Sequence, residues 1–553
     1  VDGDRVVTGR GGGRLARRVG SAVLVGVPLL FLAYFFVYPL AGILWVSLSR
    51  EGSPSAAFVT VLTRPSLRAV AWFTLWQAAV STVLTVLVAL PGAYVLARFR
   101  FPGRSLVRAG VTVPFVLPTV VVGSAFLALL GPDGPLGVDL RHTVWAILLA
   151  HVFFNYAVVI RTVGGLWAHL DPRLEEAARM LGASRLRVFR EVTLPLLAPA
   201  LAAASSIVFL FTFTSFGVIL ILGGLHYTTL EVEIWRQTTQ FLNLPVAAAL
   251  AVLQLIGVTT LLVLYSRFQE RRAVQQGLRP AGETARPPRT WGERLLVGAN
   301  LVFMVLLLGT PLLVLVERSL ATAGGYGLTY YQALFTSQTS SLFVPAAVGL
   351  RNSLVFALAA TLIAVTVGLM AATVIAYRRG RAGRWFDVVL MLPLGTSAVT
   401  IGFGFLVALG KPIDLRASAL LIPIAHALVA IPFVVRSAVP VMRSVRGRLR
   451  DAAAMLGASP FRVWREVDLP LAARAAAVGA GFAFAISLGE FGATAFIARP
   501  DTPTVPVAIF RLLGRPGNLN FGQAMALSTI LMALTAAAVL LIERFRLARD
   551  SEF

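Results

Sequence analysis

Few side chains in this 553-residue chain could carry out covalent or phosphoryl chemistry. There is no cysteine, which excludes thiol nucleophiles, disulfides and Cys-based metal sites. Lys411 is the only lysine among 49 basic residues. A phosphate-binding loop requires Gly-x4-Gly-Lys-Ser/Thr so that the lysine can reach the phosphates. Lys411 follows Gly410, but Pro412 comes next and position 405 is Phe, so this nucleotide site is missing. No His-Glu-x-x-His and no Gly-x-Ser-x-Gly is present. The chain reads as a non-enzyme that binds no cofactor of its own.

The informative residues recur in pairs. Residues 177–195 read AARMLGASRLRVFREVTLP and residues 452–470 read AAAMLGASPFRVWREVDLP, with fourteen of the 19 positions identical at a constant offset of 275. The register extends back to His151/His426 and Arg161/Arg436 and forward to Phe216-Gly217/Phe491-Gly492. Such self-similarity marks two related halves. In the first copy Asp171-Pro172 supplies an N-cap carboxylate and a first-turn proline. Glu175 and Glu176 suit the positive end of the helix dipole. Leu174, Ala177, Ala178 and Leu181 form one apolar stripe. Gly182 ends the helix, and Ser184 starts a second short one carrying Leu186, Phe189 and Val192. The second copy repeats the plan with Leu449, Ala452, Ala453, Leu456, Gly457, Ser459, Phe461, Trp464 and Val467. Two short helices joined at a glycine, with small alanines on one side, suit close approach by a partner; the competing reading is an amphipathic loop resting on lipid.

This pattern resembles the permease subunits of binding-protein-dependent ABC importers, whose signature is Glu-Ala-Ala-x3-Gly-x9-(Ile/Val)-x-Leu-Pro. Glu176, Ala177, Ala178, Gly182, Val192, Leu194 and Pro195 match it in full. Asp451, Ala452, Ala453, Gly457, Val467, Leu469 and Pro470 match with Asp for Glu. The resemblance covers one permease unit per half. It implies that each loop is a coupling helix seated on an ATPase subunit, with two ATPase copies holding ATP and Mg. It also implies an external substrate-binding protein, and a small solute moved inward by alternating access.

The elements that position these loops are spans. The chain is 57% hydrophobic and 13% charged, where a soluble domain carries about 25% charged residues. Mean hydropathy is +0.81. Runs of about 20 apolar residues suffice to cross a hydrocarbon core of about 30 Å as helix. Strands of alternating polarity, which a membrane barrel needs, are not seen. The fold class is therefore all-α integral membrane, with 12 spans in two six-helix halves. The spans fall near 22–48, 69–97, 109–130, 143–166, 195–222 and 244–266, then 295–317, 350–377, 386–409, 417–441, 470–497 and 522–543. The domain plan is an arm at 1–20, a first repeat at 21–266, a linker at 267–294 and a second repeat at 295–553. The Arg-, Pro- and Gly-rich linker reads as a flexible connection.

The net charge of +24 would suggest nucleic acid on a soluble protein. Here, with both termini inside, 34 basic residues fall on the cytoplasmic segments and 11 on the outer loops, as positive-inside orientation demands. This places the chain in a bacterial cytoplasmic (inner) membrane, in contact with lipid and not nucleic acid. The arm with Arg5, Arg10, Arg14, Arg17 and Arg18 precedes a stretch too long for a signal peptide, so it reads as leading into a retained first helix. The even number of spans per half predicts packing about a twofold axis along the membrane normal.

Charged groups inside spans mark functional candidates. Glu490 in the fifth span of the second half aligns with Ser215, and each precedes a phenylalanine, Phe491 or Phe216. These four are candidates for the translocation pathway or gate. Glu490 is open between a counter-ion for solute and a structural carboxylate paired with a residue such as Arg499. His151 and His426, with no acid nearby in sequence, read as hydrogen-bonding groups, not a metal site. Asn155 and Arg161 read as packing and snorkelling groups.

Fused permeases of this length resemble the thiamine and ferric-iron transporters. Thr228–Trp235 (TTLEVEIW) and Pro503–Phe510 (PTVPVAIF) favour the thiamine branch. The alternative class is an ion-coupled secondary transporter with two six-helix halves, which should not carry paired loops of this kind.

Overall fold

The computed structural model describes residues 22–48, 56–135, 137–271, 279–336, 343–377, 380–444 and 447–550. The N-terminal arm lies outside them. The first repeat runs α1 (Ala22–Leu48), α2 (Pro65–Arg98), α3 (Arg104–Val116), α4 (Thr119–Leu129), α5 (Val144–Trp167), α6 (Pro172–Met180), α7 (Arg185–Phe213), α8 (Gly217–Leu222), α9 (Leu230–Thr239) and α10 (Leu244–Arg271). The second runs α11 (Trp291–Leu320), α12 (Ala346–Tyr377), α13 (Gly383–Gly395), α14 (Ala398–Ala408), α15 (Leu421–Ser444), α16 (Gly447–Met455), α17 (Leu469–Gly489), α18 (Thr494–Ile497), α19 (Val505–Leu513) and α20 (Asn518–Asp550).

Among the described residues nine helices are long and apolar enough to span a membrane. The third span of each half and the fifth span of the second half are not among these nine. The third span of each half is a broken pair, α3/α4 bent by 100° and α13/α14 by 94°. Leu117 and Pro118 are both extended at the first break, because a proline ring drives the preceding residue out of helical geometry. The fifth span also stops early: α7 ends at Phe213 and α17 at Gly489, short of the expected 222 and 497.

Four wide π turns share one cause. They cover Ala33–Val37, Phe189–Thr193, Val305–Gly309 and Trp464–Asp468. Each ends two residues before a proline: Pro39, Pro195, Pro311 and Pro470. The ring of a proline collides with the carbonyl four residues earlier. That carbonyl belongs to the middle residue of every wide turn, where the helix has room to yield.

Packing divides the chain into two compact units that cut across the sequence repeats. One comprises residues 1–43, 351–499 and 537–553. Its core pairs α15 with α17 and takes in Leu32 and Phe36 of α1. Gly404 lets α14 approach Pro39, and the Tyr38 hydroxyl donates to the Lys411 carbonyl at 2.9 Å. The other comprises 44–350 and 500–536, where α2 packs on α5, α7 covers both, and α11 lies against α2 and α4. The first helix of each repeat thus packs with elements of the other repeat.

The linker departs from a free tether where it is described. Arg279 pairs with Asp171 at 2.8 Å, Thr284 donates to the Ala168 carbonyl, and Arg286 exchanges backbone hydrogen bonds with Arg98 and Arg100. A capping box between Thr290 and Glu293 then starts α11.

Candidate functional site

The loop between the fourth and fifth spans folds as its residues dictate. Asp171 accepts from the Arg173 amide at 3.0 Å and opens α6. The helix closes at Gly182, with φ +87°; the amides of Gly182 and Ala183 bond back to the carbonyls of Arg179 and Ala178. The second copy closes identically at Gly457, with φ +79° and bonds to Ala454 and Ala453. This conformation favours glycine, and nothing lies within 4 Å of where either Cβ would be. Ser184 and Ser459 cap the second short helix, accepting from Arg187 and Arg462 at 3.3 Å.

What the loops present is apolar and exposed. Met180 and Leu181 are 88% and 89% exposed; Met455 and Leu456 match them at 88% and 89%. Leu174, Leu186, Leu449 and Phe461 are exposed as well. Glu176 and Ala177 are exposed with Ala178 half-buried, and Asp451, Ala452 and Ala453 repeat that order. Leu194-Pro195 follows the wide turn inside α7, and Leu469-Pro470 opens α17 behind its own. Met is adaptable and suits a recognition surface, and two identical unpartnered apolar tips are costly unless something covers them.

A second constellation ties the fourth span of each repeat to the break in the fifth. His151 bridges the hydroxyls of Ser81 at 3.0 Å and Ser215 at 2.9 Å. His426 bridges Ser487 at 2.7 Å and Thr494 at 2.8 Å, and lies 3.1 Å from Glu490 Oε2. The expectation that His426 has no nearby acid is thus corrected. Glu490 pairs with His426 in this way. Its carboxylate also accepts from the amides of Ala493 at 2.7 Å and Thr494 at 3.1 Å, which satisfies the donors freed by the break. Ser215, Phe216, Glu490 and Phe491 are all buried. Asn155 is buried, with its amide donating to the His151 carbonyl at 3.0 Å.

Sequence reasoning missed a third pair. Trp235 on α9 and Phe510 on α19 stand edge to face, ring centroids 5.6 Å apart. They are also 275 positions apart, and Thr229/Thr504, Ile234/Ile509 and Arg236/Arg511 keep the same register. Extending the repeat past Gly217 would have found the equivalence, though not the contact.

Paired loops on a scaffold of helices long and apolar enough to span a membrane define a polytopic membrane protein built of two repeats. The family model for the "binding-protein-dependent transport system inner membrane component" matches twice, at residues 89–274 and 364–549, and the chain belongs to that family. It is the fused, two-repeat permease of an ATP-driven importer, a multi-pass inner-membrane transport component and not an enzyme. It is 29% identical to the thiamine transport system permease protein ThiP of Brucella abortus, over 94% of this chain and 96% of that one. It is 28% identical to ThiP of Escherichia coli, over 84% and 86%. The sulfate transport system permease protein CysT of Salmonella typhimurium is 33% identical over 45% of this chain and 93% of its own length.

Proposed function

We propose that this chain conducts thiamine inward, and that its two loops, Glu176–Pro195 and Asp451–Pro470, are the seats of two ATPase subunits. Those subunits hold ATP and Mg, and an extracytoplasmic binding protein delivers the solute. Both termini and both loops face the cytoplasm, in keeping with the basic residues. The observation carrying the mechanical part is the matched exposure of Met180-Leu181 and Met455-Leu456, two copies of one apolar tip. Full-length similarity to thiamine permeases supports the solute.

Closure of the ATPases draws the loops together. The force enters α7 and α17 through Pro195 and Pro470, and the histidine bridges carry it to the breaks beside Ser215 and Glu490. In this reading Phe216 and Phe491 line or gate the pathway as it opens.

The test is reconstitution with the ATPase and binding protein, comparing the native chain with Gly182→Trp/Gly457→Trp. Thiamine uptake and stimulated ATP hydrolysis are expected to be lost together in the double variant. Uptake driven by an ion gradient without nucleotide would overturn the reading.

A further inference from the structure

The helix α9 carries features its repeat partner α19 does not. Glu231 is fully buried, and its counterpart is Pro506; Glu233, 8% exposed, is matched by Ala508. Pro506 and Ala508 are buried in turn, so the scaffold of the repeat packs this position without a carboxylate. Burying a carboxylate inside a membrane protein is costly, which makes a group present in one repeat only a candidate for function.

Its surroundings point to a ligand. The Gln254 amide nitrogen on α10 donates to Glu231 Oε1. Gln254 is 1% exposed, and its Oε1 has no hydrogen-bond partner among the described residues. Because the amide is already bound to Glu231, the orphaned oxygen stands beside the carboxylate. One helical turn on, at the i+4 position, is Trp235, whose buried indole nitrogen also lacks a partner among the described residues. A carboxylate, the amide bound to it and an indole one turn on therefore share one side of α9. Buried polar atoms left open in this way normally find water or a ligand.

Location adds to this. Trp235 and Phe510 are repeat equivalents in ring contact. Both lie within one compact unit, where equivalent helices of the two repeats therefore meet.

We propose that Glu231, Gln254 and Trp235 form a contact site for an organic cation on the conduction path, with Phe510 completing its aromatic wall. The carboxylate and the indole face hold the positive charge. The Gln254 oxygen accepts from an amino group, and the indole N–H donates to a ring nitrogen. One carboxylate and one amide oxygen suit such a cation better than a hard metal ion, which takes several oxygen ligands. The proposal deepens the thiamine reading and rests on it for the choice of solute.

The native chain has no cysteine, so a single introduced thiol reports the local field directly. Trp235→Cys is placed in the chain assembled with its ATPase and binding protein. It is labelled with cationic trimethylammonium-ethyl or anionic sulfonato-ethyl methanethiosulfonate, each rate being divided by that on a free thiol. The cationic reagent is expected to react at least about tenfold faster, and Glu231→Gln to bring the ratio near one. A ratio indifferent to Glu231→Gln overturns the site, and Phe510→Cys gives the same readout should Trp235→Cys fail to accumulate. In the otherwise native chain, Glu231→Gln is expected to cut thiamine uptake about tenfold with stimulated ATP hydrolysis within about twofold; parallel loss of both overturns a solute-contact role. If the native chain moves no thiamine yet the charge preference stands and depends on Glu231, the solute reading falls and the cation site remains.

Discussion

Arg98, the last residue of α2, donates to Glu175 of the first loop at 3.1 Å, and this contact recurs in the second repeat with its chemistry exchanged. Glu175 aligns with Arg450, and Arg450 reaches the end of α12, where its guanidinium lies 4.2 Å from the Tyr377 ring centre and 2.6 Å from its hydroxyl. One repeat anchors its loop with a carboxylate on the loop and a cation on the span. The other places the cation on the loop and an aromatic ring on the span. What both preserve is a fixed joint between the second span and the loop.

That joint can be tested by exchange. Arg98 is 8% exposed and also donates to the Leu170 carbonyl, so Glu175→Ala leaves a nearly buried guanidinium short of its counter-charge. A loss of about 2 kcal/mol is expected, below the usual figure for a fully buried pair because Glu175 retains some contact with water. Thr193, which also donates to Glu175, loses its partner as well. The transplant Arg98→Tyr/Glu175→Arg installs the pair of the second repeat in the first. Thermal unfolding of the double variant should lie closer to the native chain than either single change; a strictly additive loss would refute the equivalence.

The exposed tips allow binding to be separated from folding. Met180, Leu181, Met455 and Leu456 contribute little to packing within this chain, so Met180→Asp/Leu181→Asp should leave its unfolding temperature within about 1 °C. Burying two carboxylates in an apolar groove should, by contrast, prevent docking at that loop. Co-purification with the ATPase is expected to fall at least about tenfold when Met455→Asp/Leu456→Asp is added to this pair. A fall in chain stability of the same size, with association intact, would contradict the assignment.

The loops were legible because their chemistry is local. A stripe, a glycine, a serine cap and a Leu-Pro exit lie within about 22 residues, and the repeat states them twice. The two bent spans were not, since apolar runs through Leu117-Pro118 and Leu392-Pro393 have the length and hydropathy of a continuous helix. A proline is tolerated inside membrane helices, so its presence alone does not announce a turn of about 100°. The exchange of first helices left no mark either. Leu32 and Phe36 of α1 sit among other apolar residues on every face of that helix, so periodicity could not say which face would be buried, or against what. His426 and Glu490 are 64 positions apart, and neither sequence neighbourhood names the other.

Glu490 distinguishes bracing from solute contact. Its carboxylate accepts from two backbone amides and lies 3.1 Å from His426, so Glu490→Ala would strip partners from several buried groups at once. A destabilisation of about 3 kcal/mol is expected. Glu490→Gln keeps the volume but turns an amide donor toward donors that the carboxylate had satisfied, and should lose part of that amount. Solute affinity measured on whatever folded protein remains should be unchanged. Native stability with weakened solute binding in Glu490→Gln would instead make Glu490 a pathway residue.

The aromatic contact between Trp235 and Phe510 yields the most direct test of alternating access. With ring centroids 5.6 Å apart, no solute fits between Trp235 and Phe510, so on the proposed site this arrangement is closed. On that proposal the pair parts and meets once per cycle. A chain carrying Trp235→Cys and Phe510→Cys has no other thiols, and a short bismaleimide can bridge the two positions. Uptake is expected to fall in proportion to the fraction bridged, and further than in either single variant carrying the same reagent unbridged. Adding the non-hydrolysable nucleotide that holds the ATPases together should slow bridging by separating the positions. Full uptake at near-complete bridging would mean that the solute takes a route that never passes between these rings.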